Sequence, residues 1–438
     1  MTAVTLLQKT LRSKPGAIEY AGTKDKRAIT TQHCTIYRKK PSDFKRVNSY
    51  QLPPFIRVGD FELVSEPLKL GDNTANHFDI ILREIEATDE DVHLKLEAVR
   101  DCGFINYFGL QRFGKGGVHS HIIGREIFHS NWQVAIDMMF VPREGDRGPI
   151  SQGKQAYNEG DFRAALEIFP GYMHAERSVL ASLIQHPNDA LGAFNKIPKN
   201  TRLLCAHAYQ SYVWNVAASE RIKRYGLTCV EGDLVVAKNE SELAFQKASI
   251  ENHKCVIVAT KEDIESKRYS INDVVLPLVG INVLLPKNDI GELIEDTLRR
   301  DSLSIDFFQK KCAQEYRMGG AYRRLILRPK EFQWEILEYN DTNAELFKTE
   351  VNKFRSSPTH LISEEPVNQG SRNIHALRVS FILMPGSYAT MLLREITKES
   401  TETEYHASLT ASSASEFAGE DEEQEENITG IKRSLEVE

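Results

Sequence analysis

Paired cysteines, long apolar runs and metal-ligand spacing are all missing from this sequence. Its six cysteines (Cys34, Cys102, Cys205, Cys229, Cys255 and Cys312) are scattered singly. Without a C-x-x-C pair, neither a disulfide framework nor a zinc ribbon is expected, and the pattern fits a reducing compartment. His119 and His121 form H-x-H, but no second ligand pair stands at metal spacing, so no metal site is expected. The longest near-apolar stretch, Val274 to Pro286, contains Pro277, Gly280 and Asn282. It is too short and too broken to span a bilayer and reads as buried strand and turn. Gln8, Lys9 and Thr10 interrupt what would be the apolar core of a secretory leader. The expectation is therefore the nucleus or the cytoplasm, not secretion. Lys432-Arg433 is too short a basic run to single out the nucleus.

Surplus positive charge is missing as well. The formal net charge is -7, which argues against a nucleic-acid binder if taken whole. The acidity is uneven: residues 399–438 carry 12 acids and 2 bases, leaving 53 bases against 50 acids in the body. A local basic groove is compatible with that balance. At 438 residues the chain is long enough for two or three domains, and its 41% hydrophobic and 27% charged content is that of a globular protein.

Residues 4–12 have helical spacing. Runs 17–21 and 31–37 read as strands that flank a connection holding Asp25. Residues 78–85 read as a strand, and Thr88 with Asp91 as a capping box for a helix bearing Val92, Leu96 and Val99, with Gly103 as its stop. Residues 155–225 read as helical. Within them Tyr157 to Phe169 has the look of one helix of a tetratricopeptide repeat, but no second copy follows about 34 residues on, so a solenoid is not expected. Strand-like runs return at 229–230, 234–237, 255–259, 320–328, 333–338 and 375–383, completing an α+β pattern. The Ser-, Thr- and Glu-rich segment 399–438 is expected to be disordered.

Two runs carry chemistry. In Gly22-Thr23-Lys24-Asp25-Lys26-Arg27 a carboxylate sits among bases. Cations can hold phosphate while the acid does chemistry, which suits work on a polyanion. A solvated turn of mixed charge explains the same spacing. The second run, Asn106-Tyr107-Phe108-Gly109-Leu110-Gln111-Arg112-Phe113-Gly114, interleaves aromatics with amides and a guanidinium. Rings and guanidinium planes stack on bases, and amides bond their edges. An aromatic core strand ending in a glycine turn would read alike. Gly109 to Lys115 also fits the phosphate-loop spacing G-x-x-x-x-G-K, but Gly116 stands where a magnesium-binding hydroxyl belongs, so a nucleotide-triphosphatase is the weaker reading.

Together these runs resemble the TruD family of RNA pseudouridine synthases. The first is similar to the family's G-T-K-D-K motif and the second to its N-Y-F-G-x-Q-R-F-G signature. Gly71 to Phe78, His207 to Asn215 (HAYQSYVWN), Asp273 to Gly280, Gly320 to Arg323 and Gly386 to Ile396 resemble further family segments in the same order. The spelling Tyr388-Ala389-Thr390 and the acidic tail look like the eukaryotic branch.

The resemblance implies an α+β fold: a pseudouridine synthase catalytic domain with a mixed sheet (residues 1–103 and 329–398), a large inserted α+β TRUD domain (104–328) and the disordered acidic tail (399–438). It implies that Asp25 is the catalytic aspartate, that Asn106 helps to position it and that Phe108 stacks on the target base. Lys24, Lys26 and Arg27 would contact the RNA backbone, and Gln111 and Arg112 would read or orient RNA. Gln210, Asn215 and Arg323 would face the cleft or only pin helices. The implied partner is RNA, transfer RNA first and messenger or other RNAs for the eukaryotic branch, acted on by a monomer without cofactor or metal. Only 24 residues precede Asp25, fewer than family members usually carry. An RNA-binding protein that keeps the cleft without catalysis therefore stands beside the enzyme.

Overall fold

The computed structural model describes residues 2–14, 16–25, 28–44, 56–114, 118–143, 145–238, 255–310, 314–341, 344–349 and 374–400. The chain divides into two compact units, Met1–Asp101 with Pro329–Ser387, and Cys102–Arg328 with Tyr388–Glu438. The C-terminal helix Ala389–Thr397 thus groups with the second unit, although the sequence places it with the first. The tail beyond residue 400, expected to be disordered, lies outside the described residues.

In the first unit a three-stranded antiparallel sheet runs in the order Lys330–Tyr339, Ile374–Leu383, Asn76–Arg83. Its central strand buries Ala376, Leu377, Val379, Phe381 and Leu383. Arg378 ties it to the Asn76–Arg83 edge through two bonds to Asp79, 2.9 and 2.8 Å. The helix Asp89–Cys102 begins where Thr88 accepts the Asp91 amide proton (3.2 Å) and buries Val92, Leu96 and Val99. It ends before Gly103, whose φ of +80° is the left-handed conformation that favours glycine at a helix stop. A smaller antiparallel pair, Ile18–Tyr20 with Cys34–Ile36, rests on a cluster of Leu7, Leu11, Ile18 and Phe44. Leu7 and Leu11 lie on and just beyond the helix Thr2–Thr10.

The second unit is built around the helix Lys199–Tyr225, 27 residues long, which buries residues on nearly all of its length. Ser120–His129 and Asp289–Arg300 pack against it, while Pro149–Asn158, Phe162–Ile168 and His174–Gln185 pack on one another in succession. Tyr157 to Phe169 is not one helix. The chain breaks at Gly160 (φ +83°), and Asp161 caps a new helix by accepting the Ala164 amide proton at 2.9 Å. An Asp-capped restart competes successfully with helical periodicity that runs through it. A four-stranded antiparallel sheet, Val256–Val258, Leu234–Val236, Val274–Leu278, Ala321–Arg324, lies against the helices. The strand-like pair 229–230 forms no strand, because its backbone is held in a turn by Asp233. A two-residue pair, Phe104–Ile105 with Ile326–Leu327, leads into the second motif. Fully buried side chains such as Phe128, Phe140 and Val213 each contribute about 1.5–3 kcal/mol by leaving water.

One ion pair is wholly inside this unit. Arg221 and Asp233 are 0% and 1% exposed, joined by bonds of 2.9 and 2.6 Å, and Arg221 also donates to the Thr228 and Gly226 carbonyls. Removing one partner strands a buried charge, which costs about 3–5 kcal/mol. Arg221→Met should therefore lower the urea-unfolding free energy by about that amount, and Arg221→Met with Asp233→Leu should recover much of the loss. Equal stability of wild type and the single variant would refute the assignment.

Candidate active site

Asp25 lies in the connection between the paired strands Ile18–Tyr20 and Cys34–Ile36, exposed to solvent. Its neighbour Lys24 is half-buried and donates from Nζ to Asn76 Oδ1 at 2.5 Å, at the start of the three-stranded sheet. Lys26 and Arg27, expected to contact RNA, lie outside the described residues. These residues belong to the first unit.

The second motif lies in the second unit. It is not a strand: after Phe104–Ile105 the chain runs through Asn106 to Gly109 and closes in a single 3-10 turn, Leu110–Arg112. Backbone outside a ladder needs other partners. Asn215, on the long helix, supplies them for Phe108. Its Oδ1 accepts the Phe108 N–H at 2.9 Å and its Nδ2 donates to the Phe108 carbonyl at 3.0 Å. Arg323, on the strand Ala321–Arg324, donates from Nε to the Asn106 carbonyl (2.8 Å) and from Nη2 to Asn106 Oδ1 (2.5 Å). Asn106, 4% exposed, donates onward to the Arg324 carbonyl at 3.1 Å. Gly109 packs closely, since a Cβ there would come within 3.1 Å of the Tyr388 ring.

Phe108 is the centre of this arrangement and is only 7% exposed. The Arg323 guanidinium lies 4.1 Å from its ring centroid, and Arg112 lies at 5.6 Å. Trp214 and Tyr388 meet its ring edge-on, at 5.7 and 6.2 Å. Burial pushes the Arg323 guanidinium down to about 9, with Tyr388 opposing the fall and Arg112 adding to it. It stays charged at neutral pH, placed among aromatic faces that stabilise a cation. Arg112 Nε is buried and has no hydrogen-bond partner among the described residues. The structure thus brings together Asn106, Phe108, Arg112, Asn215 and Arg323. Gln111 is exposed beside them on the 3-10 turn. Gln210 is elsewhere, buried and donating to the Val279 carbonyl at 2.6 Å, so it pins the helix to the sheet and faces no cleft.

Trp214, Tyr388 and a second ring stack were not singled out from sequence. In that stack His119 and His121 are 5.7 Å apart and near-parallel, His121 lies on Tyr212 at 4.5 Å, and Phe113 meets His121 edge-on. The H-x-H spacing therefore serves ring packing. The signal for Trp214 was its place beside Asn215, one residue away in Q-S-Y-V-W-N.

Two outcomes follow. Asn215→Ala leaves both backbone groups of Phe108 without partners, a loss of about 1–3 kcal/mol for each buried unsatisfied group, and chemical unfolding should register it. Burial pushes His121 down to about 4, aided by His119 and Arg125 and opposed by Asp301. Its Nδ1 has no hydrogen-bond partner among the described residues. Between pH 6.5 and about 4 the unfolded chain binds this proton more readily than the folded one, so stability falls as pH drops through that window. The loss is up to about 3 kcal/mol. His121→Phe keeps the ring and should flatten the acid side of the stability–pH curve; an unchanged curve would refute this.

The family profile for tRNA pseudouridine synthase D (TruD) matches residues 1–396. The chain is 35% identical over 415 residues to pseudouridylate synthase 7 homolog of Mus musculus, covering 94% of this chain and 59% of that relative. It is 32% identical over 419 residues to multisubstrate pseudouridine synthase 7 of Schizosaccharomyces pombe, covering 92% of this chain and 60% of the relative. It thus spans about three-fifths of the length of these curated relatives. Among solved structures, that of a Methanosarcina mazei protein assigned as tRNA pseudouridine synthase D superposes with a TM-score of 0.64 at 25% identity, covering 91% of this chain and 84% of that one. With both motifs inside the matched span, the chain belongs to the TruD family of pseudouridine synthases.

Proposed function

We propose that this chain isomerises uridine to pseudouridine in RNA, with Asp25 as the catalytic residue. The observation that carries the reading is the exposed carboxylate of Asp25, held between paired strands beside the tethered Lys24, in a chain that matches the family profile over residues 1–396. The reaction breaks the N1–C1′ bond, turns the uracil and rejoins it through C5. C5 gives up its hydrogen and N1 gains one, so the atoms balance without a co-reactant. Asp25 acts either by attacking the sugar or by removing a sugar proton; both routes need a carboxylate at that position.

A base inside folded RNA is hidden, so the target nucleotide is flipped out before reaction. Phe108 is the aromatic that stacks on the target base. Arg323, fixed by its fork to Asn106, supplies a rigid positive charge, and Arg112, whose Nε lacks a partner, is placed to bind a phosphate or orient the RNA. Lys24, Lys26 and Arg27 would meet the RNA backbone. The substrates proposed are transfer RNA, from the family's name, and further RNAs, since the fission-yeast relative is named multisubstrate. The protein acts as a monomer in the nucleus or cytoplasm.

Asp25→Asn should abolish pseudouridine formation on unmodified transfer RNA and on short uridine-containing RNAs. It should leave RNA affinity within a few-fold, because phosphate contacts supply most of the binding. Turnover by the variant would refute the catalytic assignment. RNA binding by a wild type that forms no product would favour the reading of a silent RNA-binding protein.

A further inference from the structure

A pocket of about 250 Å³ opens in the second unit beside Phe108. It is lined by Tyr107, Phe108, Leu110 and Phe113 from the motif, Asn215 and Ser219 from the long helix, and Met391 and Arg394 from the helix Ala389–Thr397. Three of these walls are aromatic rings. No acid lines the pocket among the described residues. Its size is below the roughly 300–1,000 Å³ of drug-sized sites, which suits a single base or nucleoside.

The polar groups are few and placed apart. The Asn215 amide is engaged with the Phe108 backbone. Tyr107 and Ser219 share a hydrogen bond of 2.9 Å between their hydroxyls. Whichever hydroxyl donates, the other keeps its proton, so the pair always offers one donor and spare lone pairs to an occupant. Arg394 is exposed, and its guanidinium forms no ion pair or side-chain hydrogen bond among the described residues. An open pocket of mixed polar and apolar lining, with aromatic rings, one donor–acceptor pair and a free guanidinium, matches a planar base attached to a phosphate.

We infer that this pocket binds one nucleotide of single-stranded RNA other than the uridine that reacts, its base among Tyr107, Phe113 and Met391 and its phosphate on Arg394. The inference rests on the RNA reading above and adds to it a site that selects or anchors the strand beside the target. Base stacking on aromatic walls is tolerant of sequence, whereas the Tyr107–Ser219 pair can discriminate base edges.

The test uses a short single-stranded uridine-containing RNA, with affinity read by fluorescence anisotropy across a salt series and KM and kcat read from pseudouridine formation. Arg394→Gln should raise Kd and KM by about tenfold, reduce the salt slope by about one and leave kcat nearly unchanged. Ser219→Phe should fill the pocket, raising KM by about tenfold with the salt slope unchanged, because no charge is lost. Arg299→Gln, at an exposed arginine outside the pocket that pairs with Asp296, serves as the charge control and should behave as wild type. If wild type modifies RNA while both pocket variants match it, or if Arg299→Gln loses as much as Arg394→Gln, the pocket assignment is overturned and the catalytic reading stands. If wild type neither binds nor modifies RNA, the catalytic reading fails and takes the pocket with it.

Discussion

The paired hydrogen bonds between the Asn215 amide and the backbone of Phe108 are the interaction on which the candidate site depends. The motif segment cannot hold itself in place. Its strand is two residues long, and its turn is a single 3-10 turn. Each backbone group there must find a partner elsewhere. Asn215 satisfies both groups of Phe108 with one side chain, and Arg323 does similar work for Asn106. These two residues are themselves immobilised. The long helix is tied to the sheet by Trp214, whose indole donates to the Leu276 carbonyl at 3.2 Å, and by Gln210 on the Val279 carbonyl. The glycine after Phe108 lies close against Tyr388, so a larger residue there would press on that ring. The order of the motif is thus borrowed from the largest core in the molecule.

The same arrangement explains why positive charge can be kept inside. A guanidinium taken from water loses hydration, and burial lowers Arg323 to about 9. Three features offset it: a fork of hydrogen bonds to Asn106, the face of Phe108 at 4.1 Å, and the nearby rings of Trp214 and Tyr388. Lysine would offer a point charge and no planar fork, so it could not combine stacking with two-point recognition of Asn106. Arg112 lies over the same ring without a full set of partners. Two guanidiniums beside one phenyl ring repel each other, and a polyanion relieves that repulsion. The site's local character is therefore cationic although the whole chain carries -7.

Much of this was legible in the sequence, and the reasons differ by element. Thr88, Val92, Leu96, Val99 and Gly103 spelled out a helix because cap, spacing and stop agree. The strands of both sheets were legible from β-branched and apolar runs. The helix from Phe162 was legible, whereas the look of one helix over Tyr157 to Phe169 runs across a break that one glycine and one capping aspartate create. The motif residues could be named from their order, but not their duties. Phe108 reads as an open stacking platform in sequence and is 7% exposed in the fold. Gln210 reads as a cleft residue or a helix pin, and it lies buried, donating to the Val279 carbonyl. Asn215 and Arg323 turn out to hold the motif's backbone, a role that depends on residues more than 100 positions away. Arg394 and the Tyr107–Ser219 pair give no sequence signal, because the pocket exists only where three distant segments meet.

Asp25 and the Phe108 cluster are held in place in different ways. The cluster is locked by a deep core, whereas Asp25 stands on a pair of three-residue strands with a small cluster beneath it. An isolated two-stranded pair is marginal in water. Its support comes from Leu7, Leu11, Ile18 and Phe44, and from the Lys24–Asn76 bond that leads to the main sheet. A reacting carboxylate must be placed within about 0.5 Å of its productive position. The lysine that neighbours Asp25 is the one described side chain tying that connection to the three-stranded sheet, so a phosphate drawing on the same Lys24 would act directly on the placement of the acid. On the proposed function, binding and the placing of the acid would then share one residue. On that proposed function, contacts made only once the RNA is fully seated would supply order at the acid, which is where binding energy raises rate and not only affinity.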